Sequence, residues 1–96
     1  MHPGYGAEQH YQIIRTAAYD QKIQDLGLDN AKIEALDHNI DWTLSRTPHI
    51  FKQLIGDFYL WVTEDFREFG IPSLQIVYHV DTAKMIVTII DVDIEF

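Results

Sequence analysis

Leu74-Gln-Ile-Val-Tyr-His-Val-Asp-Thr-Ala-Lys-Met-Ile-Val-Thr-Ile-Ile-Asp-Val92 is the stretch on which the fold of this chain turns. Its first half alternates. Leu74, Ile76, Tyr78 and Val80 fall on one face of a strand, and Gln75, Val77 and His79 on the other. Asp81 to Lys84 reads as a turn, and Met85 to Val92 as the return strand. In that return strand Ile86, Val87, Ile89 and Ile90 put apolar groups on both faces, which marks a central strand. Upstream, Phe58 to Thr63 is rich in aromatic and β-branched residues and forms a third strand. A loop from Glu64 to Pro72, broken by Gly70 and Pro72, joins it to the hairpin.

The helices lie in the first half of the chain. Asp29 is an N-cap, and Ile33, Leu36, Ile40 and Leu44 then recur as a helical stripe. Lys32, Glu34, Asp37, His38 and Asp41 take the opposite face. Pro48 disfavours helix at Thr47, so the helix ends near Arg46. Ala17 to Leu26 forms a shorter helix that Gly27 closes as a left-handed cap. Tyr11 to Thr16 is a β-prone run, and Pro48 to Ile55 forms one turn leading into Gly56-Asp57. Residues 1–9 read as a flexible leader, and residues 10–96 as a single domain. The expected order is β-α-α-β-β-β, an α+β fold with a mainly antiparallel sheet and two helices packed on one face.

Composition narrows the functions. The chain has 96 residues, is 47% hydrophobic and contains no cysteine. That suffices for one packed core, excludes disulfides and thiolate chemistry, and fits the cytoplasm. No apolar run approaches the roughly 20 residues that span a bilayer. Fifteen acidic residues against seven basic ones give a net charge of −8. Proteins that hold nucleic acid place Lys and Arg against phosphates, so this charge counts against a nucleic-acid partner. The cations Arg15, Lys22, Lys32, Arg46, Lys52, Arg67 and Lys84 are spread along the chain without forming a run.

Four stretches are similar to the RelE/ParE superfamily of bacterial toxins, especially the branch related to RelE and HigB. They are Arg15-Thr-Ala-Ala-Tyr19, Asp25-Leu-Gly-Leu-Asp29, Leu44-Ser-Arg-Thr-Pro48 with Ile55-Gly56 soon after, and Leu74 to Asp81 with Met85-Ile-Val-Thr-Ile89. They span residues 11–92 in the order that fold requires. The resemblance implies a sheet with a concave surface, neutralised by an antitoxin segment wrapped over it. In RelE-like members that surface supports mRNA cleavage on the ribosome, through several Arg and Lys with Tyr or His. In ParE-like members the target is DNA gyrase.

The chain departs from this pattern where cations are expected. Gly56-Asp-Phe-Tyr-Leu-Trp-Val-Thr63 has none, where related toxins carry a basic strand. Gln75 and His79 stand where Arg is common, and the end, Asp91-Val-Asp-Ile-Glu-Phe96, is acidic. The resemblance therefore implies a toxin-like component that blocks growth through translation or gyrase if active. The alternative is an inactive protein-binding module on the same fold, and a third reading is an unrelated α+β scaffold.

RNA cleavage needs a base, an acid and cations on the phosphate. His79 is the candidate catalytic residue because imidazole titrates near neutrality, and Arg67 is the candidate cation. With a two-residue turn, Ile86 would oppose His79 and Thr88 would lie one step away. The bland reading makes His79 an exposed strand residue and Arg67 a solvated loop charge. Tyr59, Trp61 and Gln75 are the partner-binding candidates. Tyr59 and Trp61 share one face of their strand and could instead stack nucleobases or fill the core. Tyr78 reads as a core tyrosine. Glu34, His38 and Asp41 share a helix face, but solvation explains them better than a metal does. No metal or other cofactor is expected, since no phosphate loop or nucleophile signature occurs.

Overall fold

The structure, a computed structural model, describes residues 10–63 and 70–94. Seven elements follow one another: β1 (Gln12–Arg15), α1 (Ala17–Asp25), α2 (Asn30–Arg46), β2 (Lys52–Gln53), β3 (Phe58–Thr63), β4 (Leu74–Asp81) and β5 (Ile86–Ile94). Both helices start where a side chain can take a free amide. The Thr16 hydroxyl accepts from the Tyr19 amide at 3.3 Å, and the Asp29 carboxylate from the Lys32 amide at 2.8 Å. Gly27, at φ +72°, turns the chain out of α1.

The five strands form one sheet in the order β1-β5-β4-β3-β2, antiparallel throughout except for the β1–β5 pair. Strand β5 therefore sits inside the sheet. Tyr19 and Ile23 of α1 and Leu36, Ile40 and Leu44 of α2 are buried in one core with Ile76, Tyr78, Val80, Val87, Ile89 and Val92. Both helices thus cover one face of the sheet and leave the other open. The buried Tyr78 hydroxyl is satisfied by donating to the Pro48 carbonyl at 2.6 Å, and burial pushes its pKa up.

Three local features differ from the expectation, each for a physical reason. Lys52-Gln53 is a short edge strand, paired with Leu60 and Tyr59, and not part of a helical turn. Two residues are too few to show a period, and the Gly56 turn (φ +55°) creates the pairing. The β4–β5 turn holds four residues, 82–85, with Met85 at φ +57° and the Asp81 carboxylate accepting from the Lys84 amide at 3.0 Å. Finally, a bulge lies between Val77 and Tyr78, whose partners are Asp91 and Ile89, so Ile90 is an extra residue.

Arg15 ties the sheet to α2. Its guanidinium donates to Asp41 at 2.8 Å, and its Nε lies 3.4 Å from Asp37, an ion-pair distance outside hydrogen-bond geometry. Burial raises the pKa of Asp37 and outweighs the pull of Arg15. For Arg15 burial works downward, but the hydrogen bond and charges of Asp41 and Asp37 win and raise its pKa. Among the described residues no helix is long and apolar enough to cross a membrane.

Candidate functional site: the open face of the sheet

Alternation and register together define the uncovered face. One row across the sheet runs Phe58, His79, Thr88, Ile14, on β3, β4, β5 and β1. On one side of it Asp81, Ile86 and Gln12 form a second row, and on the other lie Lys52, Leu60, Val77 and Asp91. Beyond these come Val62, Gln75 and Asp93. Strand β1 pairs with β5 only as far as Ile89, so Asp91 and Asp93 stand at a free edge of the sheet, where Lys22 of α1 reaches both. All are at least partly exposed, whereas their sequence neighbours on β4 are buried. The face is mixed: Ile14, Phe58, Leu60, Val62, Val77 and Ile86 are apolar among polar and acidic neighbours, and the exposed Leu54 and Ile55 follow β2 in the turn to Phe58.

His79 sits near the middle. Its ring lies 4.9 Å from that of Phe58, inclined at 62°, and Thr88 opposes it across β5. The longer turn corrects the expected neighbour from Ile86 to Thr88. Gln75 shares this face with His79. Arg67, the expected cation, lies outside the described residues.

Tyr59 and Trp61 lie on the helix-covered side. Tyr59 pairs with Tyr78 and stacks on its ring, with centroids 5.6 Å apart, and is only 8% exposed. It fills the core. Trp61 pairs with Ile76 and stacks on Phe51 at 4.7 Å. It packs against the core margin, so neither ring is presented on the open face.

The cations are placed elsewhere. Among the described strand residues, Lys52 is the only Lys or Arg on the open face, and β3 separates it from the strand of His79. Arg15 and Arg46 line a groove between β1 and α2, where the Arg46 guanidinium lies 3.5 Å over the Trp42 ring. Lys22 of α1 bridges to Asp91 at 2.9 Å and Asp93 at 3.2 Å. The Lys22 hydrogen bond holds the Asp91 carboxyl below its usual range. This charge triad was not foreseen, because 71 positions separate Lys22 from Asp93 and only the Asp91-Val-Asp93 alternation hinted at it.

Glu34, His38 and Asp41 all lie on α2. Asp41 is engaged by Arg15, and among the described residues no three His, Cys, Asp or Glu side chains are grouped to hold a metal. Chemically, the open face offers one imidazole, one hydroxyl, the amides of Gln12 and Gln75, the carboxylates of Asp81, Asp91 and Asp93, one ammonium at Lys52, and apolar area between them. A phosphorane would find little positive charge there. A protein segment would find a large contact surface.

No protein-family model and no curated protein matches the sequence. Solved structures do match the fold. A chain of the toxin–antitoxin complex RelBE2 from Mycobacterium tuberculosis superposes with a TM-score of 0.69 at 18% identity, over 91% of this chain and 93% of that one. A chain of the intact E. coli RelBE toxin–antitoxin complex gives 0.64 at 18% identity, covering 90% and 98%. A free E. coli toxin RelE carrying two arginine-to-alanine changes gives 0.63 at 17%, covering 86% and 81%. The chain has the RelE/ParE-like fold: a mostly antiparallel sheet with two helices on one face.

Proposed function

We propose that this chain is the toxin-like member of a toxin–antitoxin pair and that it works by binding protein, with an antitoxin as its cognate partner. The observation that carries this reading is the uncovered face of the sheet, where Ile14, Phe58, Leu60, Val62, Val77 and Ile86 are partly exposed and Lys52 is the only Lys or Arg among the described strand residues. Apolar area of this extent on one face supports a macromolecular contact. When freed of its partner, the chain would block growth through a protein target, with gyrase and the translation apparatus as the two candidates.

The competing reading is ribosome-dependent mRNA cleavage, and it rests on His79. The imidazole is placed centrally and half exposed, but leaving-group protonation and phosphate stabilisation would need groups that its row does not supply.

Expression in a bacterium, alone and together with the small gene beside it, tests the proposal. The expected result is a growth defect relieved by the neighbour, a stable complex of the two proteins, and intact mRNA. Ribosome-dependent cleavage that disappears in His79→Ala would overturn the protein-binding reading. Normal growth with no complex would overturn the toxin–antitoxin assignment itself.

A further inference from the structure

Helix α1 ends before the sheet does. Past its last residues the helix-side surface continues as a groove of about 340 Å³, near the lower limit of the roughly 300–1,000 Å³ of ligand pockets. Its floor and walls are apolar: Leu26, Leu74, Val92 and Ile94. Leu74 and Val92 are buried, Leu26 half buried, and Ile94 is 36% exposed. The space suits a large apolar side chain.

The rim is negative. Asp25 and Asp93 stand on it with Lys22, and Lys22 is also bound to Asp91. Asp91 and Asp93 thus share one ammonium, and Asp25 adds a third carboxylate at the groove. Asp25 accepts only a neutral donor, the Gln21 amide at 3.0 Å, among the bonds found for the described residues. The C-terminal end of α1 adds the negative pole of its dipole at the same place.

The charge selects the occupant. A second copy would bring another −8 to the same surface, which opposes self-association. We propose that this groove seats an apolar anchor residue flanked by Lys or Arg, supplied by a cationic amphipathic segment of the partner protein. The proposal rests on the toxin–antitoxin reading only for the partner's identity, and it adds the partner's charge and docking point. The anchor would bury against Leu26 and Ile94 while its flanking cations pair with Asp25 and Asp93, leaving Lys22 on Asp91.

Labelled 18-residue peptides of Leu/Lys, Leu/Glu and Ser/Lys composition, measured by fluorescence anisotropy with the full chain, test this directly. Three proteins are compared: wild type, Asp25→Asn with Asp93→Asn, and a charge-matched control, Asp20→Asn with Asp57→Asn. The Leu/Lys peptide is expected to bind wild type and control alike, and about tenfold more weakly to the groove variant, as for rim charges that set specificity. The Leu/Glu and Ser/Lys peptides are expected not to bind. Equal loss in both double variants, or binding of Leu/Glu, would overturn the proposal. The same variants are then co-expressed with the neighbouring small gene. A native complex indifferent to the groove variant and to salt would sink the groove and spare the toxin–antitoxin reading. Peptide discrimination without any native complex would do the reverse.

Discussion

The two faces of β4 share one backbone but answer to different demands. Leu74, Ile76, Tyr78 and Val80 are completely buried beneath the helices. Gln75, Val77, His79 and Asp81 are partly exposed on the uncovered side. The first set meets close-packed neighbours and is constrained by volume. The second meets water or a partner, and its one apolar member, Val77, adds strand propensity and cross-strand contact but little burial in the isolated chain. The apolar character of the first set therefore reports on folding, while the second set is the one a partner can reach.

The contrast is broken most directly by paired truncations. Ile76→Ala should cost about 2–5 kcal/mol in urea unfolding, since it opens a cavity in the core. Val77→Ala, one residue along, should cost less than about 1 kcal/mol, in keeping with half-exposed positions away from the core. Equal losses would mean that the open face is packed in the isolated chain. A smaller effect sharpens the same distinction at the tyrosines. Tyr78→Phe removes the hydrogen bond to the Pro48 carbonyl and strands a buried acceptor, costing about 1–3 kcal/mol. It should leave partner affinity unchanged, which calorimetric titration of the complex would check.

The least costly change lies at the edge. Lys22→Ala should lower the thermal midpoint only slightly at neutral pH, because the bridges to Asp91 and Asp93 are exposed and screened by solvent. Its pH dependence has a definite sign. The folded pKa of Asp91 is lowered, so its contribution exists above the unfolded pKa and is lost as pH falls through the folded one. The gap between wild type and Lys22→Ala should therefore close as acid is added, read from thermal midpoints across the carboxylate range.

Most of the framework was legible from local pattern. The stripe Ile33, Leu36, Ile40, Leu44 and the Asp29 cap located α2, and the alternation of Leu74 to Val80 located β4, because each repeats long enough to show its period. Register was not legible. It depends on Met85 adopting φ +57° and on a bulge at Val77/Tyr78, and neither leaves a compositional trace. Alternation also put Tyr59 and Trp61 on a common face without saying which. Pairing with Tyr78 and Ile76 assigns them to the helix side. The fate of Arg15 was equally hidden, since its partners Asp37 and Asp41 lie 22 and 26 positions downstream. Long-range electrostatics decides where a cation goes, and a linear sequence shows only that it exists.

The most direct test of the central claim is the dissociation constant of the complex with the neighbouring small protein, measured for wild type and for Val77→Glu at the middle of the uncovered face. A buried carboxylate at the contact should weaken binding by about a hundredfold or more, well beyond the modest loss of stability expected from facing Asp91 across the strands. An unchanged dissociation constant would contradict the account and move the binding surface elsewhere on the molecule.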